Sequence, residues 1–519
     1  MAPTFKAPKT QRVYDVCIIG SQLGGAVAGA LLARRNYRVL HIDHDGLGTS
    51  YEDAGYMLPY APVVIPAPRS FPAAQDVLTE LGLTTDLSRQ LEPAHPDLQL
   101  LLPRHRIDLH RDPAQREAEL RREWPADAQK LESALSQLSK LFDAASPFMK
   151  AMPPLPAIGF SERRQVAKAI RFAASAPGAP RGKVGQADPL AEIEDHPLIQ
   201  ALSSFYGHLS YLDGEPSPLA KTRLLGGALH GTFRLPGGYE SLREMCRRKI
   251  AESRGELLGA GPESEPAIAE SFEIDSGRIA SVRLAGSPDA YVARAFILAT
   301  DAPAVRRLIP ASERNGKLSK LLDKIRPEQQ LLSINLVVKA AALPPALGDT
   351  VLAVLDGKAG DAAERSILLQ VLPARRDGKR GQGEVVPDER ILSAAAFVPT
   401  NVRDQGESYL LERAARIRAA VADAVPFFER HLVAESVPAV AAAANGRARG
   451  SRLLPHPLYR VTLDSTLGVT GLPVRAPYRN LFFAGREVVP GLGIEGEFHA
   501  GLQAANVVGA LLGRRELLK

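Results

Sequence analysis

The chain has 519 residues, of which 45% are hydrophobic and 24% charged, and its formal net charge is +6. This length is enough for two or more domains, because single hydrophobic cores stop growing at roughly 250 to 300 residues. The modest charge is spread along the chain and does not indicate nucleic-acid binding, and the two cysteines, Cys17 and Cys246, exclude a disulfide scaffold and a cysteine metal site.

The first predicted element is a strand-turn-helix unit typical of dinucleotide binding. Residues 13–19 predict a buried strand, Gly20 a tight turn, and the small residues from about 24 to 35 a helix whose N-terminus can bind phosphates. Gly25 allows the helix to pack closely on the strand, and Asp43 ends the next strand, where a carboxylate can bind an adenosine ribose. The candidate cofactor-binding residues in this unit are Gly20, Gln22, Gly24, Gly25 and Asp43.

Gln22 departs from the glycine pattern at the position where the backbone approaches a pyrophosphate. A side chain at this point has three interpretations. The loop is displaced and the dinucleotide binds less tightly, the Gln22 amide contacts phosphate directly, or the unit has the fold and holds no ligand.

The middle of the chain predicts two inserted segments. The first, residues 76–219, has helical patterns such as 128–142 and 197–210 between proline-rich connectors. The second, residues 311–444, has strand patterns at 331–338, 350–355 and 366–372, followed by a helix at about 407–425.

Residues 160–175 place Arg163, Arg164, Lys168 and Arg171 at near-helical spacing. This pattern predicts either a solvated surface helix or a cationic amphipathic helix that lies on an anionic membrane. No signal peptide is visible, and no run approaches the about 18 apolar residues of a membrane span. We therefore expect a cytoplasmic protein, with peripheral membrane contact as an alternative.

The C-terminal region contains a second glycine-rich segment. Residues 481–484 predict a short buried strand, residues 490–493 a turn, and residues from about 495 to 512 a helix. Glu495 and Glu497 stabilise the first turn of this helix through its dipole, a structural role that competes with a cofactor role. His499 is best interpreted as a core residue.

Four segments together resemble the phytoene desaturase-like branch of the flavin amine oxidase superfamily. They are residues 14–25, the turn at 233–239, the strand and turn at 295–303, and the C-terminal segment at 480–496, which together span nearly the whole chain. The resemblance implies an α/β fold, with a Rossmann-like FAD-binding domain of the glutathione reductase type and an α+β substrate domain. The FAD-binding domain is expected at 10–75, 220–310 and 445–519, and the substrate domain at 76–219 and 311–444.

The resemblance also implies that the C-terminal helix start faces the flavin and the ribityl chain. It adds Gly485, Arg486, Glu487, Gly493 and Ile494 to the candidate FAD-binding residues. The family usually has an acid where this chain has Arg486. Glu487 could substitute for that acid, or Arg486 could bind the pyrophosphate as a bidentate donor.

The resemblance implies an FAD-dependent oxidoreductase that acts on a lipophilic substrate, isoprenoid or carotenoid-like, by desaturation, saturation or isomerisation. The cofactor performs hydride movement, so no catalytic side chain and no metal are assigned. The alternative is a flavin-free binding or escort protein that resembles GDP-dissociation inhibitors. Gln22 and Arg486 favour this alternative, whereas Asp43 and the turn at 490–496 oppose it.

Overall fold

The computed structural model describes residues 12–44, 48–174, 185–259, 267–354, 366–376, 383–444, 455–463 and 466–513. The strands in these ranges are β1 (Arg12–Ile19), β2 (Val39–Ile42), β3 (Tyr51–Asp53), β4 (Tyr56–Leu58), β5 (Ile65–Pro66), β6 (Glu92–Pro93), β7 (Leu98–Leu102), β8 (His105–Leu109), β9 (Thr232–Arg234), β10 (Glu256–Leu258), β11 (Ala269–Asp275), β12 (Arg278–Leu284), β13 (Ala290–Leu298), β14 (Ile325–Lys339), β15 (Thr350–Val354), β16 (Ser366–Arg376), β17 (Glu384–Pro399), β18 (Leu432–Ser436), β19 (Leu458–Val461) and β20 (Leu481–Phe483). The helices are α1 (Leu23–Arg34), α2 (Pro72–Glu80), α3 (Thr84–Gln90), α4 (Pro113–Glu123), α5 (Ala128–Lys150), α6 (Phe160–Ala174), α7 (Pro197–Leu209), α8 (Pro218–Leu229), α9 (Gly238–Glu252), α10 (Ala302–Leu308), α11 (Lys317–Leu322), α12 (Glu407–Ala424), α13 (Pro438–Ala444) and α14 (Gly493–Leu512).

The first sheet is built around the N-terminal strand. Its order is β10-β2-β1-β13-β12-β11, with β20 beside the end of β13. The strands β10, β2, β1, β13 and β20 run parallel, whereas β11 and β12 form an antiparallel meander. The predicted strand-turn-helix unit is confirmed, and its Rossmann-like sheet brings the carboxyl ends of β1, β13 and β20 to one edge.

Helix α1 can pack closely on this sheet because its first residues are small. A Cβ atom on Gly24 would lie 1.8 Å from the carbonyl oxygen of Ala484, and one on Gly25 would lie 2.2 Å from the Cβ of Ala299. Gly20 has a φ of +110°, a conformation that residues with a side chain rarely adopt. These glycines are therefore required by chain packing, whatever the site binds.

The second sheet has the order β18-β14-β17-β16-β15-β7-β8, with β19, β4 and β3 at its sides. Along β14 the side chains alternate between two faces, as expected for a strand. Leu332, Ile334 and Leu336 pack in the core that α12 covers, whereas Leu331 and Ser333 face the segment that follows β4. This alternation gives the sheet one face for its own core and one face toward the candidate site.

The observed architecture confirms the predicted α/β fold class, with a Rossmann-like sheet and a second sheet covered by helices. The helices predicted at 128–142, 197–210 and 407–425 correspond to α5, α7 and α12. The division into two discontinuous domains remains a prediction. Its boundaries differ from the strand pairing at β3, β4 and β19, which join the second sheet although their residues were assigned to the FAD-binding pieces.

Across the described ranges, no helix is both long enough and apolar enough to cross a membrane.

Candidate functional site

A cavity of about 420 Å³ lies where the Rossmann-like unit meets the second sheet. Its floor is formed by the β1–α1 turn, the start of the C-terminal segment and α14, and its walls come from residues 48–63, the turn before α9 and three strands of the second sheet. Ligands of open parallel sheets bind at the carboxyl ends of the strands, so this is the expected place for a site. Ser21, Gln22, Arg486 and Glu497 contribute polar groups to the floor.

Gln22 fills the space between the first turn and the C-terminal segment. Its Nε2 donates to Oδ1 of Asp301 at 2.9 Å, and its Oε1 accepts from the backbone N of Arg486 at 3.0 Å. Only 1% of the Gln22 residue is exposed. A Cβ atom on Gly485 would lie 1.9 Å from Oε1 of Gln22, so Gly485 provides room for this amide.

Glu497 occupies the anion-binding position at the N-terminus of α1. Its Oε2 accepts from the backbone N of Gly24 at 3.3 Å, and its Oε1 accepts from the hydroxyl of Tyr211 at 2.8 Å. A helix N-terminus attracts anions through its dipole and its unpaired N–H groups. In this structure a carboxylate of the chain itself meets that requirement.

Asp43 forms an ion pair with Arg247, with 3.0 Å between Oδ2 and Nη1. The same guanidinium binds Glu240 at 2.5 Å, and all three side chains are buried. Burial lowers the pKa of Arg247, but Glu240 and Asp43 offset this effect and raise it above its ordinary value. The residues lining the cavity do not include Asp43.

These three arrangements test whether the site can hold FAD. The Gln22 amide lies where the motif leaves space for a pyrophosphate, Glu497 places a negative charge at the phosphate-binding helix end, and Arg247 covers the carboxylate that would bind a ribose. In this arrangement the residues present do not fit the adenosine diphosphate part of FAD.

Arg486 lies at the floor of the cavity, beside the Gln22 amide. Its Nε is 3.9 Å from Oδ1 of Asp301, and its Cζ is 5.4 Å from the ring centre of Tyr211. Burial lowers the pKa of Arg486, but neighbouring groups, including Tyr459, Asp301 and Glu497, raise it above its ordinary value. The guanidinium therefore stays charged.

Glu487 is not among the residues that line the cavity, and it caps another helix. Its Oε1 accepts from the backbone N of Ala302, the first residue of α10, at 3.1 Å. Burial, and then the nearby Asp301 carboxylate, raise the pKa of Glu487 to about 8. The hypothesis that Glu487 replaces the family's acid beside the ribityl chain remains a prediction.

The remaining candidates in the C-terminal segment contribute to packing. Gly493 has a φ of +50°, and a Cβ atom there would lie 1.9 Å from the carbonyl oxygen of Leu209. Ile494 is buried in the core shared with α1, and neither residue is among those lining the cavity. Of the ten candidate residues, Gln22 and Arg486 line the cavity. The residues outside its lining are Gly20, Gly24, Gly25, Asp43, Gly485, Glu487, Gly493 and Ile494.

The cavity also contains a histidine that sequence analysis missed. His456 packs its ring on Tyr211, with 4.8 Å between ring centres, and its Nε2 lies 2.7 Å from the carbonyl oxygen of Ser210 and 3.2 Å from that of Gly207. Carbonyl oxygens only accept, so Nε2 carries the proton and Nδ1 is an acceptor. Burial, together with Arg486, lowers the pKa of His456 to about 4. No local sequence pattern marks this residue.

Within the described part of the chain, no group of three or more histidine, cysteine, aspartate or glutamate side chains is arranged to hold a metal ion.

Comparisons with known proteins agree with this architecture. Residues 18–81 match a family described as an NAD(P)-binding Rossmann-like domain. An oxidoreductase from Methanosarcina mazei superposes with a TM-score of 0.55 at 14% identity, covering 94% of this chain and 99% of its own. Cyclohexylamine oxidase from Brevibacterium oxydans superposes with a TM-score of 0.53 at 15% identity, covering 96% of this chain and 100% of its own.

A putrescine oxidase variant has a TM-score of 0.53 at 14% identity, over 97% of this chain and 100% of its own. The comparison with curated protein sequences found no match. At these identities the similarity shows the fold alone. The chain therefore has the fold that these oxidoreductases and amine oxidases share, and the comparisons do not single out phytoene desaturases.

Proposed function

We propose that the chain binds an elongated, largely apolar small molecule in the cavity and does so without a resident FAD. This is the flavin-free binding role on a flavoprotein fold. One observation carries the proposal: the carboxylate of Glu497 accepts a hydrogen bond from the backbone N–H of Gly24, the group to which a diphosphate would have to bind. Because the Gln22 amide fills the adjacent space, the chain satisfies the dinucleotide site with its own side chains.

The cavity itself supports a lipophilic ligand. Its volume of about 420 Å³ lies within the range of roughly 300 to 1,000 Å³ that small-molecule sites have. Its lining combines apolar side chains with polar groups at the floor and around the walls, a composition that suits a lipophilic molecule with a polar group. The apolar wall residues include Leu58, Ala61, Val63, Leu331, Leu372 and Ile391.

The second candidate is an FAD-dependent oxidoreductase of the desaturase, saturase or isomerase type, acting on an isoprenoid or carotenoid-like substrate. The intact Gly20 turn and the flavoprotein fold favour it. It requires that Gln22 and Glu497 leave the positions seen here when the cofactor binds. FAD would then supply the redox chemistry, and the apolar cavity would position the substrate.

The purified protein distinguishes the two candidates. We expect its visible spectrum to lack flavin bands, the denatured supernatant to contain no FAD, and added FAD to remain unbound. The same sample should bind the apolar dye Nile red with a fluorescence increase that long-chain compounds reverse. About one FAD per chain would replace this proposal with the oxidoreductase, and a protein that binds neither FAD nor Nile red would overturn both.

Peripheral membrane contact through α6 is a separate proposal. Phe160 and Phe172 are 85% and 60% exposed, and the exposed basic residues of the same helix are Arg163, Arg164, Lys168 and Arg171. Exposed aromatic rings beside cations are typical of helices that lie on anionic bilayers. Vesicles containing phosphatidylglycerol should sediment the wild type at low salt, and the variant Phe160→Ser/Phe172→Ser should stay in solution. Equal behaviour of both proteins would overturn this proposal.

A further inference from the structure

We infer that Arg486 and His456 form the polar end of the ligand site and select an uncharged hydroxyl group, so that the ligand is a lipophilic alcohol or phenol. This inference rests on the proposed function, since it names the chemical class of the molecule that the cavity binds. It is carried by the hydrogen-bonding state of the two side chains and by the charge balance of the cavity floor.

His456 contributes a hydrogen-bond acceptor. The carbonyl groups of Gly207 and Ser210 hold the proton on Nε2, which leaves the lone pair on Nδ1. Among the described residues Nδ1 has no hydrogen-bond partner, and it is not fully buried, in contrast to Nδ1 of His499. His456 lines the cavity, so a ligand donor can reach this atom. The low pKa of His456 keeps the ring neutral at physiological pH.

Arg486 contributes hydrogen-bond donors. Its backbone N is used by Gln22, but its guanidinium makes no hydrogen bond with the described residues, and its nearest carboxylate oxygen is 3.9 Å away. The guanidinium and the His456 ring both pack against Tyr211. Beside the same Tyr211 ring, the guanidinium therefore offers donors and the imidazole offers an acceptor, a pair that a hydroxyl group can satisfy by accepting and donating at once.

The charges directly around Arg486 disfavour the obvious alternative, a carboxylate or phosphate group bound to this guanidinium. Asp301 and Glu497 already lie beside this cation and raise its pKa, so an anionic ligand would meet two carboxylates for one guanidinium. An ammonium group is equally disfavoured. The two carboxylates already accept hydrogen bonds from Tyr459, Gln22 and Tyr211, and the guanidinium that lines the cavity would repel a second cation. A neutral hydroxyl group avoids both costs.

The test uses three probes with the same hydrocarbon chain: 1-dodecanol, its methyl ether, and dodecanoate, each titrated against bound Nile red at pH 7.5. We expect the wild type to bind the alcohol about 10-fold more tightly than the ether or the carboxylate, because the ether leaves Nδ1 of His456 unpaired. In His456→Phe and in Arg486→Met, the affinity for the alcohol should be only about 1 to 2 times the affinity for the ether or the carboxylate. His456→Phe keeps an aromatic ring on Tyr211, and Ile391→Val, which changes only the apolar wall, should weaken all three probes alike.

The outcomes separate the inference from the function on which it rests. If the wild type binds the three probes equally, or binds dodecanoate best, the inference is wrong while the lipophilic cavity stands. If none of the probes displaces Nile red, or Nile red does not bind, the proposed function fails and the inference fails with it. If either polar variant keeps the full preference for the alcohol, the two residues are not the selecting groups.

Discussion

Removing the two side chains that occupy the dinucleotide site should allow the chain to bind FAD. The change is the double variant Gln22→Gly/Glu497→Ala. Gln22 has a φ of −63°, so glycine is accepted there without strain, although the two hydrogen bonds of the amide are lost. The variant therefore opens space beside Gly485 and frees the N–H of Gly24.

The electrostatic part of the effect follows from Coulomb's law. A phosphate oxygen bound to the N–H of Gly24 would lie within about 4 Å of the Glu497 carboxylate, and two unit charges at that separation repel by about 4 kcal/mol at an effective dielectric constant of 20. This corresponds to about 10³-fold in affinity, since each 1.4 kcal/mol is tenfold. We expect the double variant to bind FAD at least about 10³-fold more tightly than the wild type.

Isothermal titration with FAD measures this gain, and thermal unfolding checks that each variant is folded. The variant Gln22→Gly/Glu497→Gln separates charge from volume, because glutamine keeps the size of the side chain and removes its charge. It should recover most of the gain, whereas Gln22→Gly alone should recover little. A folded double variant with no more affinity for FAD than the wild type would refute the argument and move the obstruction to the Arg247 and Asp43 pair.

Three further predictions concern stability. His208 is buried, and neither of its ring nitrogens is hydrogen-bonded to a described residue. Burial lowers its pKa to about 3, below the value of about 6.5 in the unfolded chain. As the pH falls below about 6.5, the unfolded chain therefore binds a proton that the folded chain does not, and the fold loses stability. Between pH 7 and pH 4, urea titrations should show that His208→Leu loses about 3 kcal/mol less unfolding free energy than the wild type. An equal loss in the two proteins would contradict this reasoning. Arg223→Met should cost about 3 to 5 kcal/mol, because it leaves Glu495 buried without its partner at 2.7 Å, and adding Glu495→Leu should recover part of the cost in urea denaturation. Gly24→Ala should lower the melting temperature strongly, because its Cβ would overlap a backbone carbonyl oxygen. The control Gly207→Ala should leave the melting temperature nearly unchanged, because its Cβ would make an ordinary contact at 3.6 Å. Similar shifts in the two variants would count against the packing argument.

The local elements of the fold could be predicted because their signals are local. An apolar run before a glycine turn and a small-residue helix predicts the first unit, and β1 and α1 begin within one residue of the expected positions. The membership of strands in the second sheet could not be predicted in this way. The edge strand β19 pairs with β14 across more than 100 residues, and no periodicity within a short strand identifies its partner.

The site shows the same division between local and distant information. The motif itself marks Gln22 as a departure, but its partners, Asp301 and the backbone of Arg486, lie far along the chain. Glu497 could be interpreted from sequence only as an acid that stabilises its own helix. Its bond to Gly24 becomes visible only when α14 packs against α1. His456 lies between two prolines outside any periodic pattern, so sequence reasoning had no signal for it.

The positions of Gln22 and Glu497 at the dinucleotide site make physical sense only as a pair. The N-terminus of α1 keeps its dipole and its N–H groups whether or not a phosphate is present, so without an anion it would be left with buried, unsatisfied donors. Glu497 supplies the negative charge, but a carboxylate alone would leave an opening beside Gly485. The Gln22 amide fills that opening and pairs its donor and its acceptor with Asp301 and the backbone N of Arg486. One side chain thus replaces the charge of a diphosphate and the other replaces part of its volume, which explains how a dinucleotide fold can satisfy its phosphate-binding turn without a dinucleotide.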